Sequence, residues 1–99
     1  MAMIAARALD RNRDRAARLS VLVAGDLDAA SADTEAPGTV RDEAVTLAHQ
    51  IAGSAGTFGY DAASDDARTA MDLLVAGADT AQVAPFVESV RSLLDGPPA

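Results

Sequence analysis

Apolar positions along this chain recur at steps of three and four, the period of a helix with one buried face. Leu9, Ala16, Leu19 and Val23 form the first such stripe and predict a helix from Met3 to Ala24, stopped at Gly25. Inside it, Asp10 to Arg15 are six polar residues in succession, read as a solvated helix surface, the alternative being a dimerisation or partner-binding role for the N-terminal turn. Asp14 and Arg18 stand there at i,i+4 spacing, which lends weak helical support. From Asp26 to Gly38 the periodicity fades and acids alternate with alanine and serine. Residues 26–38 are therefore expected to be an acidic loop, with one helical turn placed near Leu27 to Ser31 and Pro37-Gly38 as its close.

The strongest periodic signal follows. Thr39-Val40-Arg41-Asp42 resembles a capping box with Asp in place of the usual Glu. Val40, Ala44, Leu47, Ala48, Ile51, Ala55 and Phe58 then mark one stripe, and Gly59 ends or bends the helix. At about 100° per residue, His49 falls about 120–140° from the centre of that stripe and should point outward. A third helix is expected from Tyr60 to Ala76, with Ala63, Ala67, Ala70, Met71 and Leu74 inward, Asp61, Asp65, Asp66 and Asp72 outward, and Gly77 as its stop. Val83, Phe86 or Val87, Val90 and Leu94 carry a fourth stripe. Asp79-Thr80 can begin this element, but Pro85 lacks an N–H, so its main helix is expected to start at Ala84-Pro85. Gly96-Pro97-Pro98 closes it, leaving 96–99 as a tail. Short connections between amphipathic helices predict an all-α, up-and-down four-helix bundle forming a single domain over residues 1–99.

Composition narrows the function. A core of this size needs no second domain, and its many alanines and three aromatics suit close-packed helices better than a β-sandwich. The net charge is −7, and every basic residue is arginine. An acidic chain without a basic cluster is a poor match for a nucleic-acid backbone, so no nucleic-acid partner is expected. No cysteine means no thiolate chemistry, and one histidine makes a zinc site improbable, so no metal site is expected. No apolar run is long enough for a bilayer, and Arg7 interrupts the N-terminal apolar residues of any signal peptide. The expectation is a cytoplasmic protein with no membrane partner.

Chemistry concentrates in Ala48-His49-Gln50-Ile51-Ala52-Gly53-Ser54-Ala55-Gly56-Thr57-Phe58-Gly59, which holds the one histidine and three of the seven glycines. Glycine inside a helix costs up to about 1 kcal/mol relative to alanine. Helical side chains lean toward the N-terminus, so Gly53 and Gly56 leave the imidazole uncovered. Two such residues beside an exposed ring make sense if a partner backbone or a bulky anion must come close. Histidine is a nucleophile near neutral pH and can form a covalent intermediate, here most naturally a phosphoramidate. No Asp–His relay is visible, and no glycine–lysine phosphate loop for ATP. Any phosphoryl group must then come from another protein.

His49-Gln50-Ile51-Ala52-Gly53-Ser54-Ala55, with Phe58-Gly59 after it, resembles the active-site segment of histidine phosphotransfer (HPt) domains. The match is dense over about twelve residues, and the helix layout agrees across nearly the whole chain. The resemblance implies a phosphocarrier, not an enzyme with its own ATP site. His49 would accept a phosphoryl group from a receiver-domain aspartate and pass it to another receiver, with response-regulator receiver domains and a hybrid histidine kinase as the implied partners. It implies Gly53 as the clearance glycine, no cofactor on this chain, and Mg²⁺ only at the partner's aspartate. Ala52 stands where the family usually has Lys or Arg, and Met71 where it often has a polar residue. Arg68, one turn before Met71, is the remaining charged candidate near the phosphate, although it can equally pair with Asp65 or Asp72. Docking is expected on Val45, Ala52, Gly53 and Gly56 around the ring, by a monomer. The alternative is a receiver-binding adaptor of the same fold that takes no phosphate, favoured by the departure at Ala52.

Overall fold

The computed structural model describes residues 2–30 and 38–98. It contains α1 (Ala2–Ala24), α2 (Val40–Thr57), α3 (Asp61–Val75) and α4 (Thr80–Asp95). Each helix packs on two neighbours, α1 on α2 and α4, and α3 on α2 and α4, which closes a four-helix bundle. The expected fold class is therefore the observed one.

Local chemistry sets the helix ends. Thr39 caps α2 through a reciprocal box: its Oγ1 accepts the Asp42 N–H at 3.2 Å, and Asp42 Oδ2 accepts the Thr39 N–H at 3.0 Å. Gly59 and Gly77 adopt φ of 90° and 86°, a region costly for any residue with a Cβ. They let Tyr60 N–H donate to Ala55 C=O at 2.9 Å, and Ala78 N–H to Leu73 C=O at 2.9 Å, so both helices end in a Schellman motif.

The fourth helix departs from expectation. It starts at Thr80 and carries Pro85 in its interior. Asp79 Oδ1 accepts the Gln82 N–H at 3.0 Å and Gln82 Oε1 accepts the Asp79 N–H at 3.2 Å, a second capping box that nucleates the helix five residues before the proline. Val83 is fully buried and anchors the early turn, while Pro85 faces solvent, where water can serve the carbonyl its missing N–H leaves open. Of the alternatives Phe86 and Val87, Val87 is the core residue and Phe86 is half-buried.

The expected turn after α1 also differs. Asp26 to Ala29 form an i→i+3 turn, Ala29 N–H to Asp26 C=O at 3.2 Å, and Leu27 is buried in the core. Ala30 and Thr39 form an isolated antiparallel bridge across the loop. The rest of that expectation, at Ser31, lies outside the described residues, as do residues 31–37 of the acidic loop.

The polar run of α1 is not wholly a solvated surface. Asn12 is 2 % exposed, its Nδ2 donating to Ser54 Oγ at 3.1 Å and its Oδ1 accepting from Arg15 at 3.0 Å. Arg18 pairs across to Glu43 at 3.0 Å, tying α1 to α2. The core is thin and alanine-rich: Ala48, Ala52 and Ala55 of α2 meet an α3 face of Ala63, Ala67 and Ala70, small residues that let the two helices approach closely.

Candidate functional site

Burial divides α2 cleanly. Ala44, Ala48, Ile51, Ala52 and Ala55 are its buried residues, and His49 is exposed on the shoulder facing away from them. Among the described residues, His49 has no hydrogen-bond or ion-pair partner, and none of them holds it in one tautomer as a general base. What the geometry offers is an accessible ring nitrogen.

Antiparallel anchors fix what lies across from it. Ser64 Oγ donates to Ala52 C=O at 2.6 Å at one end of the α2–α3 seam. At the other, Arg41 donates to Leu74 C=O at 3.2 Å, near the C-terminus of α3, and to Ala78 C=O at 2.8 Å in the connection that follows it. Between these anchors the turn of His49 lies level with the Arg68–Met71 turn of α3. Arg68 is exposed and pairs with Asp65 at 3.6 Å, a surface i,i+3 contact of small energetic weight. Met71 is half-buried against the core, as is Val45 one turn before His49. Val75, on the same α3 edge, is 70 % exposed.

The two glycines expected to clear the ring do different things. A Cβ on Gly56 would stand 3.2 Å from Ser64 Oγ and 3.5 Å from Ser64 Cβ. Gly56 therefore serves the close α2–α3 seam rather than a docking face. A Cβ on Gly53 would meet nothing within 4 Å, and the backbone there is ordinary helix. No contact among the described residues requires that glycine. A side chain at 53 would lean back over the turn of His49.

Ala52 also needs correction. At 6 % exposure its methyl belongs to the core, so it contributes no docking surface, and its carbonyl is used by Ser64. The structure thus brings His49, Gly53, Val45 and the Arg68–Met71 turn to one shoulder of α2, and removes Ala52 and Gly56 from it. Sequence reasoning missed buried Asn12 and its hydrogen bond to half-buried Ser54, although Asn12 fills the vacant step between Leu9 and Ala16 on the α1 stripe. Among the described residues, no cluster of three acidic or histidine side chains converges to hold a metal ion. No helix there is long and apolar enough to cross a membrane.

The family model described as Hpt domain matches residues 4–96. No curated protein and no solved structure matches the chain.

Proposed function

Because the chain belongs to the Hpt domain family, a family of phosphorelay phosphocarriers that have no kinase activity of their own, we propose that His49 is the phosphorylated residue. The single observation that carries this reading is the pairing of an exposed, unpartnered imidazole with Gly53, a helix-interior glycine that the fold does not need.

Hpt domains interact with receiver domains and histidine kinases. In the proposed step, an unprotonated ring nitrogen of His49 attacks the phosphorus of a receiver's aspartyl phosphate. The N–P bond forms, the acyl P–O bond breaks, and the carboxylate leaves with the electron pair. The phosphorylated ring then releases its remaining N–H proton to water, and the reverse sequence loads a second receiver. Mg²⁺ would sit with the partner's aspartate. Phosphoryl transfer of this kind depends on placement and charge stabilisation more than on protein nucleophile chemistry, which fits a site with so few parts. Open space over Gly53 supports an in-line approach, and Arg68 is the α3 cation at the right level to face the phosphoryl oxygens. The protein would act as a cytoplasmic monomer through a modest, transient interface.

Mixing the protein with a phosphorylated receiver tests this reading. Label should move to the protein, be acid-labile, and be absent in His49→Gln. The adaptor reading is favoured by one observation, the apolar, buried Ala52 where the family usually has a base. It predicts receiver binding undiminished in His49→Ala and no label on the unmodified protein.

A further inference from the structure

The arginines of this acidic chain are not spread evenly. Arg13, Arg18, Arg41, Arg68 and Arg91 each have a carboxylate within ion-pair distance. Arg7, Arg11 and Arg15 have none among the described residues, although the chain carries fifteen acidic side chains. Those three follow one another at steps of four along α1, and Arg18 continues the line three residues on. One edge of the helix is therefore a cationic stripe. Its side is known from its contacts: Arg18 reaches Glu43 of α2, and Arg7 and Arg11 line a groove with Ser54 and Phe58 of α2.

That groove holds about 310 Å³, and Ile4 and Ala8 complete its lining. Ile4 is 61 % exposed. Two unpaired guanidinium groups thus flank an apolar floor of Ile4, Ala8 and Phe58. The stripe borders the solvent-exposed strip of α2 formed by Thr46, Gln50, Gly53 and Thr57, and His49 borders the same strip from the α3 side. A body laid across α2 to reach His49 also covers the arginine edge.

Resting on the phosphotransfer reading, we infer that Arg7, Arg11 and the Ile4–Phe58 groove form a second docking region, which takes an acidic surface of the receiver partner bearing one exposed apolar side chain. Charge complementarity selects that occupant. A second copy of the chain, equally acidic overall, must overcome its own net repulsion, whereas an acidic patch on the partner is drawn to Arg7 and Arg11, which have no carboxylate partner among the described residues. Charges at such a rim act mainly on the association rate and its salt dependence. The stripe would steer the partner, and the His49 shoulder would perform the transfer.

Arg7→Glu/Arg11→Glu tests this, with Arg91→Glu, on the α4 side, as a control for a charge reversal placed away from the groove. Both altered side chains are exposed and unpaired, so helix content by circular dichroism should be unchanged. Titration with a receiver that labels the protein should show affinity reduced about tenfold at low salt, with the loss shrinking toward zero by about 0.5 M salt. Arg91→Glu should stay near the unmodified value, and label on His49 at saturating receiver should reach the same plateau in all three. Unchanged affinity in the double variant overturns the docking region while leaving the relay reading intact. A loss that does not respond to salt overturns it too, as does sedimentation showing that the double variant has only lost self-association. Arginine-dependent receiver binding without any label keeps the docking region and removes the relay.

Discussion

Gly53 and Gly56 stand less than one turn apart on α2, yet they answer to different surfaces. Gly56 faces Ser64 so closely that a methyl group would crowd its hydroxyl, and that hydroxyl is engaged with the Ala52 carbonyl. The glycine there keeps the α2–α3 seam uncrowded. Gly53 faces open space, and its backbone asks for no special conformation. The fold would accept, and by helix propensity favour, alanine at 53. A residue that the fold does not need, beside the one histidine, points to something outside the chain.

The contrast can be tested from both sides. The largest effect is expected at the seam. Gly56→Leu should destabilise the protein by about 2 kcal/mol or more, read as a lowered urea midpoint, because a branched side chain has no room against Ser64. An unchanged midpoint would remove the packing role. Next comes Gly53→Gln, whose side chain leans over the His49 turn. Transfer from a phosphorylated receiver should slow about tenfold, equivalent to about 1.4 kcal/mol, with no loss of stability. Equal rates in the two proteins would mean that nothing needs the clearance. Gly53→Ala should raise stability by about 0.5–1 kcal/mol in thermal or urea unfolding. A destabilised Gly53→Ala would reveal an internal constraint at 53. The smallest effect is a coupling: Gly56→Ala should gain less than Gly53→Ala, and should recover about 0.5 kcal/mol when made together with Ser64→Ala. Strict additivity in that cycle would mean that Ser64 is not what Gly56 accommodates.

Much of the architecture was legible because it rests on local chemistry. Thr39 with Asp42, and Gly59 and Gly77 after apolar stripes, marked helix ends that the hydrogen bonds reproduce. The outward placement of His49 followed from the spacing of Ala44, Ala48, Ile51 and Ala55 alone. Expectation failed where one local rule met a stronger one. On sequence, Pro85 outweighs a start at Asp79-Thr80, but the helix begins at Thr80 behind an Asp79–Gln82 capping box, with Val83 buried. Asn12 was absorbed into a polar run although its spacing placed it on the buried stripe. The division of labour between the glycines was beyond the sequence, since it depends on Ser64, a residue of another helix. Ala52 is a different case: it follows His49 by three residues, but it also stands four residues after Ala48, and the helical period alone carries its methyl to the buried face of α2.

The most direct measurement is the position and chemistry of the transferred group. After incubation with a phosphorylated receiver, peptide mapping at neutral pH should find phosphate on His49, with the signal lost on brief acid treatment and an equivalent amount gone from the receiver. Phosphate that stays on the receiver, or arrives as an acid-stable ester on Ser54, Thr46 or Thr57, would contradict His49 as the acceptor.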